Sequence, residues 1–391
     1  MKRLRLLMVT PRYWPLLGDT EQTTARLADA FCSCGMDVTV LTAKWHADWP
    51  TMVMHRQICV ERLPYAPRGG WNTLRYMRAL SRWIRTNRND FDVVYVMNLK
   101  HDAYAMLGAA DSLRLPVVLR AHRAGPRGDC AWQAVARFGG RIRKRCRGAK
   151  AVVASTRVGA EELESAGYAS VVQIVDGTEE APARSAAERF RARAALADTN
   201  HDLAVAEYAP VAVCVERLQT GRGLENLVRA WVPIAERWPS AKLWIIGDGP
   251  LRDGLYDGLV DLGLHRDVVL PGSFDDWYEV YQAADAYLSA SPDFATTQAL
   301  LDAMAAGLPI LATDTPDIHD VIESGVQGYL FDTGDPTSLL DVVSRLSESP
   351  GLGIQLGLAA RRRACEAFSI NRTVDEHEHL FRRLRREASS S

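Results

Sequence analysis

Short runs rich in valine, isoleucine and leucine alternate with helical patterns along this chain, and the alternation begins twice. Such an alternation predicts a parallel sheet with crossover helices. The predicted strands lie near residues 4–10, 38–42, 58–62, 92–97, 116–119, 150–154 and 171–175, and then near 211–215, 242–246, 267–270, 284–289, 309–312 and 328–330. A polar, alanine-rich helical stretch over 182–197 separates the two series. The sequence therefore predicts an α/β protein with two doubly wound, Rossmann-like domains.

The size and composition of the chain agree with two domains of ordinary size. Its 391 residues are 47% apolar, enough for each domain to bury its own core. We expect a first domain over 1–180 and a second over 181–369, with a charged helix over 370–388 packing back on the first. The seven cysteines include no CxxC pair, which favours reducing cytoplasm over a zinc site or a disulfide framework.

The charge of the chain is divided unevenly between its halves. Residues 1–180 hold 27 Lys and Arg against 17 Asp and Glu, while the remainder holds 20 against 31. The densest basic runs, 75–88 and 137–145, are either solvated helix faces or a surface for anionic lipid headgroups. No run approaches the ~20 apolar residues that span a bilayer, so the expected membrane contact is peripheral. Nucleic acid is not an expected partner, because no binding motif or aromatic stacking platform is present.

A strand and turn near the middle of the chain carry the first candidate site. The apolar run 211–215 stops at the sequence E-R-L-Q-T-G-R-G, in which Arg217 and Arg222 flank a glycine-bearing turn before a helix. In open α/β sheets the ligand crevice lies beyond the strand ends, and a helix amino terminus favours anions there. These features predict a site for a nucleotide diphosphate.

A second candidate follows the strand near 284–289. Asp293 is placed to cap a helix that points into the same crevice, and Asp302 lies nine residues further along, about two and a half turns. The Asp302 carboxylate could accept hydrogen bonds from both hydroxyls of a ribose. The alternative is that Asp293 is only a helix cap and Asp302 only a surface acid.

Taken in order, these segments resemble the group 1 family of retaining GT-B glycosyltransferases, and the resemblance covers nearly the whole chain. The family motif G-R-L-x-x-x-K-G corresponds to 216–223, the motif G-D-G-P to 247–250, and the end of E-G-F-G-x-x-x-L-E-A-M-A-x-G-x-P to 301–309. The resemblance implies a GT-B fold with an interdomain cleft, an acceptor-side first domain and a nucleotide-sugar-binding second domain.

The resemblance also implies roles for individual residues. Arg217 and Arg222 would bind the donor diphosphate, Asp302 would hold the ribose, and His122 would lie close to the transferred sugar. The implied catalytic residues are His122, Arg217, Arg222 and Asp293. The implied donor-binding residues are Gly18, Asp19, Arg217, Arg222, Gly247, Phe294, Ala295, Thr296, Thr297 and Asp302. No metal site and no cofactor are expected, and the donor substrate would be a UDP- or GDP-linked sugar.

Several positions depart from the family pattern. Phe294 stands where the family has the first glutamate of a pair, and Asp302 shortens the second. Glu216 replaces the glycine before Arg217, Asp19 replaces a glycine of the first loop, and Pro316-Asp317 replaces a glycine pair. A carboxylate 4 Å from a phosphate repels it by about 4 kcal/mol at an effective dielectric near 20, unless it points away or a cation intervenes.

The expected function is that of a retaining hexosyltransferase. It would act without metal and move a sugar from a nucleotide-diphosphate donor to a glycan or lipid-linked acceptor, in polysaccharide or cell-envelope biosynthesis. The expected location is cytoplasmic, with peripheral contact on the inner face of the plasma membrane left open. Two alternatives remain: a catalytically degenerate binding or scaffold protein, and a nucleotide-sugar epimerase. A dehydrogenase is disfavoured, because Thr10-Pro11-Arg12-Tyr13 stands where G-x-G-x-x-G would follow the first strand.

Overall fold

A computed structural model describes residues 3–16, 18–110, 113–182, 184–274, 277–292, 298–349 and 351–390. The chain divides into two compact units. The first unit comprises Met1–Asp176 together with Ile370–Ser391, and the second comprises Gly177–Ser369. Each unit has its own sheet and its own core.

Within its described residues, the first unit has an eight-stranded sheet in the order β3-β4-β2-β1-β5-β6-β7-β8. The strands are β1 (Arg5–Val9), β2 (Asp37–Ala43), β3 (Met52–His55), β4 (Ile58–Leu63), β5 (Val93–Val96), β6 (Val117–Arg120), β7 (Ala151–Ala154) and β8 (Val171–Gln173). All neighbouring strands pair in parallel except β3 and β4, which pair antiparallel.

Helices cover both faces of this sheet. They are α1 (Asp19–Ser33), α2 (Gly70–Thr86), α3 (His101–Ala110), α4 (Asp129–Val135), α5 (Gly139–Cys146) and α6 (Arg157–Ser165). Along β1, Leu7 and Val9 enter the core that contains residues of α2, α3 and α5, while Leu6 and Met8 enter the core on the other face. Because successive residues of these strands are buried on opposite faces of the sheet, the strands are nearly continuous apolar runs in the sequence.

The second unit has a six-stranded sheet in the order β11-β10-β9-β12-β13-β14 within its described residues. The strands are β9 (Val211–Val215), β10 (Lys242–Ile246), β11 (Val268–Gly272), β12 (Ala286–Ser289), β13 (Ile310–Thr313) and β14 (Gly328–Phe331), and all their pairings are parallel. Strands β10 and β11 lie on one side of β9, and β12, β13 and β14 lie on the other. The switch point, where ligands bind in open sheets, therefore lies beyond β9 and β12.

The helices of the second unit are α7 (Ala186–Thr199), α8 (Leu224–Arg237), α9 (Arg252–Asp261), α10 (Tyr278–Ala283), α11 (Gln298–Ala305), α12 (Ile318–Val321), α13 (Pro336–Glu348) and α14 (Leu352–Ala367). A strand is present at every position where the sequence predicted one, and the predicted α/β architecture of two doubly wound sheets is confirmed.

The last helix, α15 (Ile370–Ser390), belongs to the first unit. Its Phe381 ring packs against Phe31 of α1 and Tyr95 of β5 at centroid distances of 5.9 and 5.3 Å. The buried His377 lies one turn earlier, with its Nε2 atom 2.9 Å from the Tyr95 hydroxyl. The apolar face of this charged helix thus completes the core on the α1 side of the sheet.

The edge strand β3 was not predicted from the sequence. It joins β4 through Arg56 and Gln57, whose φ angles of 47° and 67° are positive. Two-residue hairpin turns of this kind normally use Asn or Gly at these positions, because those residues adopt positive φ with little strain. Two long polar side chains at the turn left no sequence signal for a hairpin.

Candidate functional site

The turn that follows β9 lies directly against the end of β12. At Gly223 the backbone has φ 73°, and a Cβ atom there would come within 1.9 Å of the Ala290 carbonyl oxygen. Only glycine permits both this conformation and this approach. Helix α8 begins at the next residue, so its amino terminus lies at the switch point of the sheet.

A second turn, after β10, is pressed against the first. A Cβ atom on Gly247 would come within 2.0 Å of the Glu216 carbonyl oxygen, and one on Gly249 within 2.2 Å of the Leu218 carbonyl oxygen. The backbone N–H of Leu218 donates to the Asp248 carbonyl oxygen at 3.1 Å. The glycines at 247 and 249 therefore allow the backbones of the two turns to pack directly against each other at the carboxyl edge of the sheet. A donor-binding role for Gly247 stays a prediction.

The two arginines of the first turn have different surroundings. The side chain of Arg217 is exposed, whereas Arg222 is only 3% exposed. The Nη1 atom of Arg222 lies 3.3 Å from the Oε1 atom of Glu216, and Oε1 also accepts the backbone N–H of Arg217 at 2.9 Å. Glu216, a carboxylate that the sequence places beside the proposed phosphate site, thus stabilises the turn from within and compensates the charge of Arg222.

Asp302 lies on α11 and is partly buried. Its Oδ1 atom accepts hydrogen bonds from Thr178 Oγ1 at 2.6 Å and from Gln298 Nε2 at 3.1 Å. Arg217, Arg222 and Gly247 meet in the two packed turns, while Asp302 is held by Thr178 and Gln298. The predicted roles of Asp293, Phe294, Ala295, Thr296 and Thr297 concern positions outside the described residues.

In the first unit, the residues predicted to form a site lie after β6 and at the start of α1. Thr20 Oγ1 lies 3.1 Å from Nδ1 and 3.2 Å from Nε2 of His122. Asp19 forms an ion pair with Arg123, the residue after His122. The structure thus brings Gly18 and Asp19, at the start of α1, close to His122.

Burial is the main cause that lowers the pKa of His122 below its ordinary value. The ring is therefore neutral at neutral pH, with one nitrogen that donates a hydrogen bond and one that accepts. A neutral imidazole of this kind suits contact with a sugar hydroxyl better than contact with a phosphate.

Sequence reasoning missed Asp129, a carboxylate that fixes the backbone around His122. Asp129 is 1% exposed, and its Oδ2 atom accepts the backbone N–H groups of His122 at 3.0 Å and Leu99 at 3.2 Å. It therefore ties the segment after β5 to the segment after β6. A Gly-Asp pair at the start of a helix gives no sign of such contacts, since they depend on two separate strand ends.

Across the described ranges, no group of three or more His, Cys, Asp or Glu side chains could hold a metal ion. The charged groups at the packed turns of the second unit are the guanidinium groups of Arg217 and Arg222 and the carboxylates of Glu216 and Asp248. Positive charge at the amino terminus of a helix is suited to bind an anion.

Two family models match this chain, one for each unit. The model described as "Glycosyl transferase 4-like domain" matches residues 18–175, and the model described as "Glycosyl transferases group 1" matches residues 209–349. The chain belongs to the group 1, family 4-like glycosyltransferases. The match over 209–349 includes both packed turns and Asp302.

This group 1 glycosyltransferase has relatives that match about half of it. N-acetyl-alpha-D-glucosaminyl L-malate synthase of Bacillus anthracis is 25% identical over 194 residues, which are 50% of this chain and 51% of that protein. D-inositol 3-phosphate glycosyltransferase of Salinispora arenicola is 30% identical over 203 residues, 49% of this chain and 44% of that protein. The chain spans about half the length of the curated relatives it matches.

Solved structures match the group 1 glycosyltransferase over nearly its whole length. Sucrose-phosphate synthase from Thermosynechococcus elongatus has a TM-score of 0.79 at 17% identity, covering 98% of this chain and 99% of that one. HepE from Anabaena in complex with UDP-glucose has a TM-score of 0.77 at 18% identity, covering 97% of this chain and 100% of that one. At these identities the likeness shows the fold, which is GT-B. Among the described residues, each helix is too short or too polar to cross a membrane.

Proposed function

We propose that this glycosyltransferase moves a hexose-type sugar from a nucleotide-diphosphate donor to a glycan or lipid-linked acceptor, with retention of configuration. The observation that carries the proposal is the pair of packed turns at the switch point of the second sheet. They present the exposed Arg217 in the turn that leads into the amino terminus of α8. An anionic ligand is favoured there by the guanidinium charge and by the helix N–H groups.

The chemistry of transfer needs positive charge where the diphosphate leaves. As the bond to the sugar breaks, negative charge grows on the departing phosphate oxygen, and Arg217 with the first N–H groups of α8 stabilises it. Removing one such donor costs about 3 kcal/mol of transition-state stabilisation in enzymes that depend on it. The acceptor hydroxyl attacks from the face that the diphosphate leaves, so configuration is retained without a covalent intermediate. No metal is required on this route.

The resemblance assigns the remaining polar groups to the sugar and the ribose. Asp302 accepts the ribose hydroxyls, and the neutral His122 ring exchanges hydrogen bonds with a hydroxyl of the transferred sugar. HepE, whose structure contains UDP-glucose, supports a nucleotide sugar as donor. The donors that we propose are UDP- and GDP-linked sugars. We propose that the pathway is polysaccharide or cell-envelope assembly, as for the relative named a lipopolysaccharide core biosynthesis glycosyltransferase.

Calorimetric titration with UDP, GDP and their sugar conjugates tests the donor site. Arg217→Ala is expected to weaken nucleotide affinity by at least about tenfold, equivalent to roughly 1.4 kcal/mol, and to abolish transfer. Arg229→Ala is the matched control, because Arg229 is an exposed arginine on α8 of the same unit. Equal affinity and turnover in wild type and Arg217→Ala would refute the diphosphate assignment.

A degenerate GT-B protein that binds a partner without catalysis is the second candidate. The buried contact between Arg222 and Glu216 favours it, because an internal carboxylate already compensates one of the two cations proposed to bind the diphosphate. This alternative predicts that the wild-type protein binds none of the nucleotides. Conversion of a nucleotide sugar without any acceptor would instead indicate an epimerase.

We also propose a peripheral contact between the first unit and an anionic membrane, through one exposed face of α2. At 100° per residue, positions 71, 75, 78, 82 and 85 fall on one side of this helix, with position 74 beside them. These exposed residues are Trp71, Leu74, Arg75, Arg78, Arg82 and Arg85, and α2 contains no acidic residue. Trp71 is 72% exposed and can enter the headgroup region, where each arginine contributes roughly 1 kcal/mol.

Vesicle sedimentation tests this contact, for which we propose the cytoplasmic face of the plasma membrane as the place. Binding should require phosphatidylglycerol in phosphatidylcholine vesicles and should weaken as salt rises. The double change Arg78→Glu with Arg82→Glu should remove most of the binding. Arg383→Glu with Arg386→Glu makes the same charge change on α15 and should leave binding unchanged. Binding that is indifferent to anionic lipid would refute the contact.

A further inference from the structure

The Asp302 carboxylate is oriented by a residue from the segment that follows the first unit. Thr178 Oγ1 lies 2.6 Å from Asp302 Oδ1, and Thr178 is 4% exposed. The same hydroxyl lies 3.3 Å from the Glu179 carbonyl oxygen, a longer contact to an uncharged acceptor. An ionised carboxylate only accepts hydrogen bonds, so Thr178 is the donor, and the shorter bond to the charged acceptor is the stronger one.

The position of Thr178 is itself fixed by the backbone. Its N–H donates to the Phe368 carbonyl oxygen at 2.7 Å, and it pairs with Ser369 in a parallel bridge. The preceding carbonyl, of Gly177, accepts from Gln298 Nε2 at 3.1 Å. Since threonine is also restricted at χ1, the hydroxyl has little freedom to leave Asp302.

Gln298 connects these contacts to the start of α11. Its amide group donates both to Gly177 and, at 3.1 Å, to Asp302 Oδ1. One oxygen of the carboxylate therefore receives hydrogen bonds from a loop and from its own helix. Two donors on one oxygen fix the plane of the carboxylate more tightly than either would alone.

We propose that Thr178 is a positioning residue for nucleotide binding, which holds the Asp302 carboxylate in the orientation that accepts the ribose hydroxyls. The inference rests on the proposed function and identifies a residue that sets the affinity of the same site. Aspartate is one methylene shorter than the glutamate of the family motif. A shorter side chain cannot extend toward a ligand as glutamate can, so the orientation of its carboxylate decides whether it reaches the ribose.

Titration with UDP and GDP compares Thr178→Val, which keeps the shape but removes the hydroxyl, with Thr178→Ser, which keeps the hydroxyl. Thr178→Val should bind about tenfold more weakly than wild type, the usual effect of losing a hydrogen bond to a charged group. Thr178→Ser should bind as wild type does. Thr178→Ala provides a second variant without the hydroxyl if the valine does not fold. Wild-type affinity in a hydroxyl-free variant would overturn the inference.

The 2′,3′-dideoxy forms of the same nucleotides separate positioning from a general structural defect. They lack the ribose hydroxyls, so Thr178→Val and Asp302→Asn should bind them no more weakly than wild type does. An equal loss of affinity for both forms would show that Thr178 acts on the fold and would overturn the inference.

The wild-type protein and Asp302→Asn distinguish failure of this inference from failure of the proposed function. If the wild type binds no nucleotide, both are overturned. If Asp302→Asn weakens binding of the ribonucleotide and Thr178→Val does not, only the role of Thr178 is overturned. A loss in both variants that disappears with the dideoxy forms supports both.

Discussion

The Arg222 guanidinium lies inside the second unit against the Glu216 carboxylate, with Nη1 3.3 Å from Oε1. The two side chains are 4% and 9% exposed. Removing one partner from a buried ion pair leaves the other charge uncompensated, which is costly. Glu216 thus stabilises the turn, although its charge opposes an approaching phosphate. The same negative charge therefore stabilises the fold and weakens the binding of an anion.

Replacing Glu216 with glutamine should therefore change stability and affinity in opposite directions. Glu216→Gln keeps the size of the side chain but removes its charge, so UDP or GDP should bind roughly tenfold more tightly. The free energy of unfolding in urea should fall by about 3 kcal/mol. Glu236→Gln, at an exposed position near the other end of α8, is the control with the same charge change. Weaker nucleotide binding by Glu216→Gln would contradict this account of the turn.

The close approach of the first turn to β12 makes a second prediction. Gly223→Ala would place a Cβ atom 1.9 Å from the Ala290 carbonyl oxygen at a φ of 73°. Because a backbone atom cannot move aside as a side chain would, the free energy of unfolding should fall by more than about 3 kcal/mol. At Gly254 on α9 a Cβ atom meets nothing within 4 Å. Gly254→Ala should therefore raise stability by roughly 0.5–1 kcal/mol. Urea unfolding that ranks the two variants in the opposite order would contradict the packing of the turn.

The sheets and the packed turns were predictable because their signals are local. An apolar run marks a buried strand, and the glycines at 223 and 247 belong to the turns that follow β9 and β10 in the sequence. The hairpin at Arg56 and Gln57 was missed because those residues are not the ones that normally form such turns.

The polar contacts of the site were less predictable than the fold. The motif suggested two similar arginines, but the conformation of the turn exposes Arg217 and buries Arg222. Thr178 and Asp302 are 124 residues apart in the chain, and nothing in either segment indicates that they meet. A pattern in sequence reports periodicity and turn chemistry, whereas hydrogen bonds between distant loops depend on the assembled fold.

Asp129 makes a third prediction, for the loop that carries His122. Asp129→Asn removes the charge that strengthens its hydrogen bonds to the N–H groups of His122 and Leu99, so the free energy of unfolding should fall by about 3 kcal/mol. The Asp129 Oδ1 atom also lies 3.6 Å from Lys100 Nζ, so the change leaves that cation without its partner charge. Asp253→Asn, in the first turn of α9 and exposed, should change stability by less than about 0.5 kcal/mol. Equal stabilities for the two variants in urea unfolding would contradict a structural role for Asp129.

His377 links α15 to the sheet as a buried neutral histidine. Its Nδ1 atom lies 2.7 Å from the Thr373 carbonyl oxygen, which only accepts, so Nδ1 carries the proton. Its Nε2 atom must then accept from the Tyr95 hydroxyl at 2.9 Å. Burial lowers the pKa of His377 to about 3, and the nearby charge of Arg120 acts in the same direction. Protonation would put a charge and a second donor where an acceptor is needed.

The fourth prediction is a loss of stability in mild acid that depends on His377. Between the ordinary histidine pKa near 6.5 and the folded value of about 3, the unfolded chain binds the proton and the folded protein does not. The contribution of the neutral His377 to the free energy of unfolding is complete above about pH 6.5. It decreases as the pH falls, by up to about 1.4 kcal/mol per pH unit. Urea unfolding from pH 7 to pH 4.5 should therefore show a smaller decline in His377→Gln than in wild type. His379→Gln, which changes a neighbouring histidine of the same helix, controls for the substitution. Parallel pH profiles for wild type and His377→Gln would mean that His377 is protonated in the folded protein as readily as in the unfolded chain.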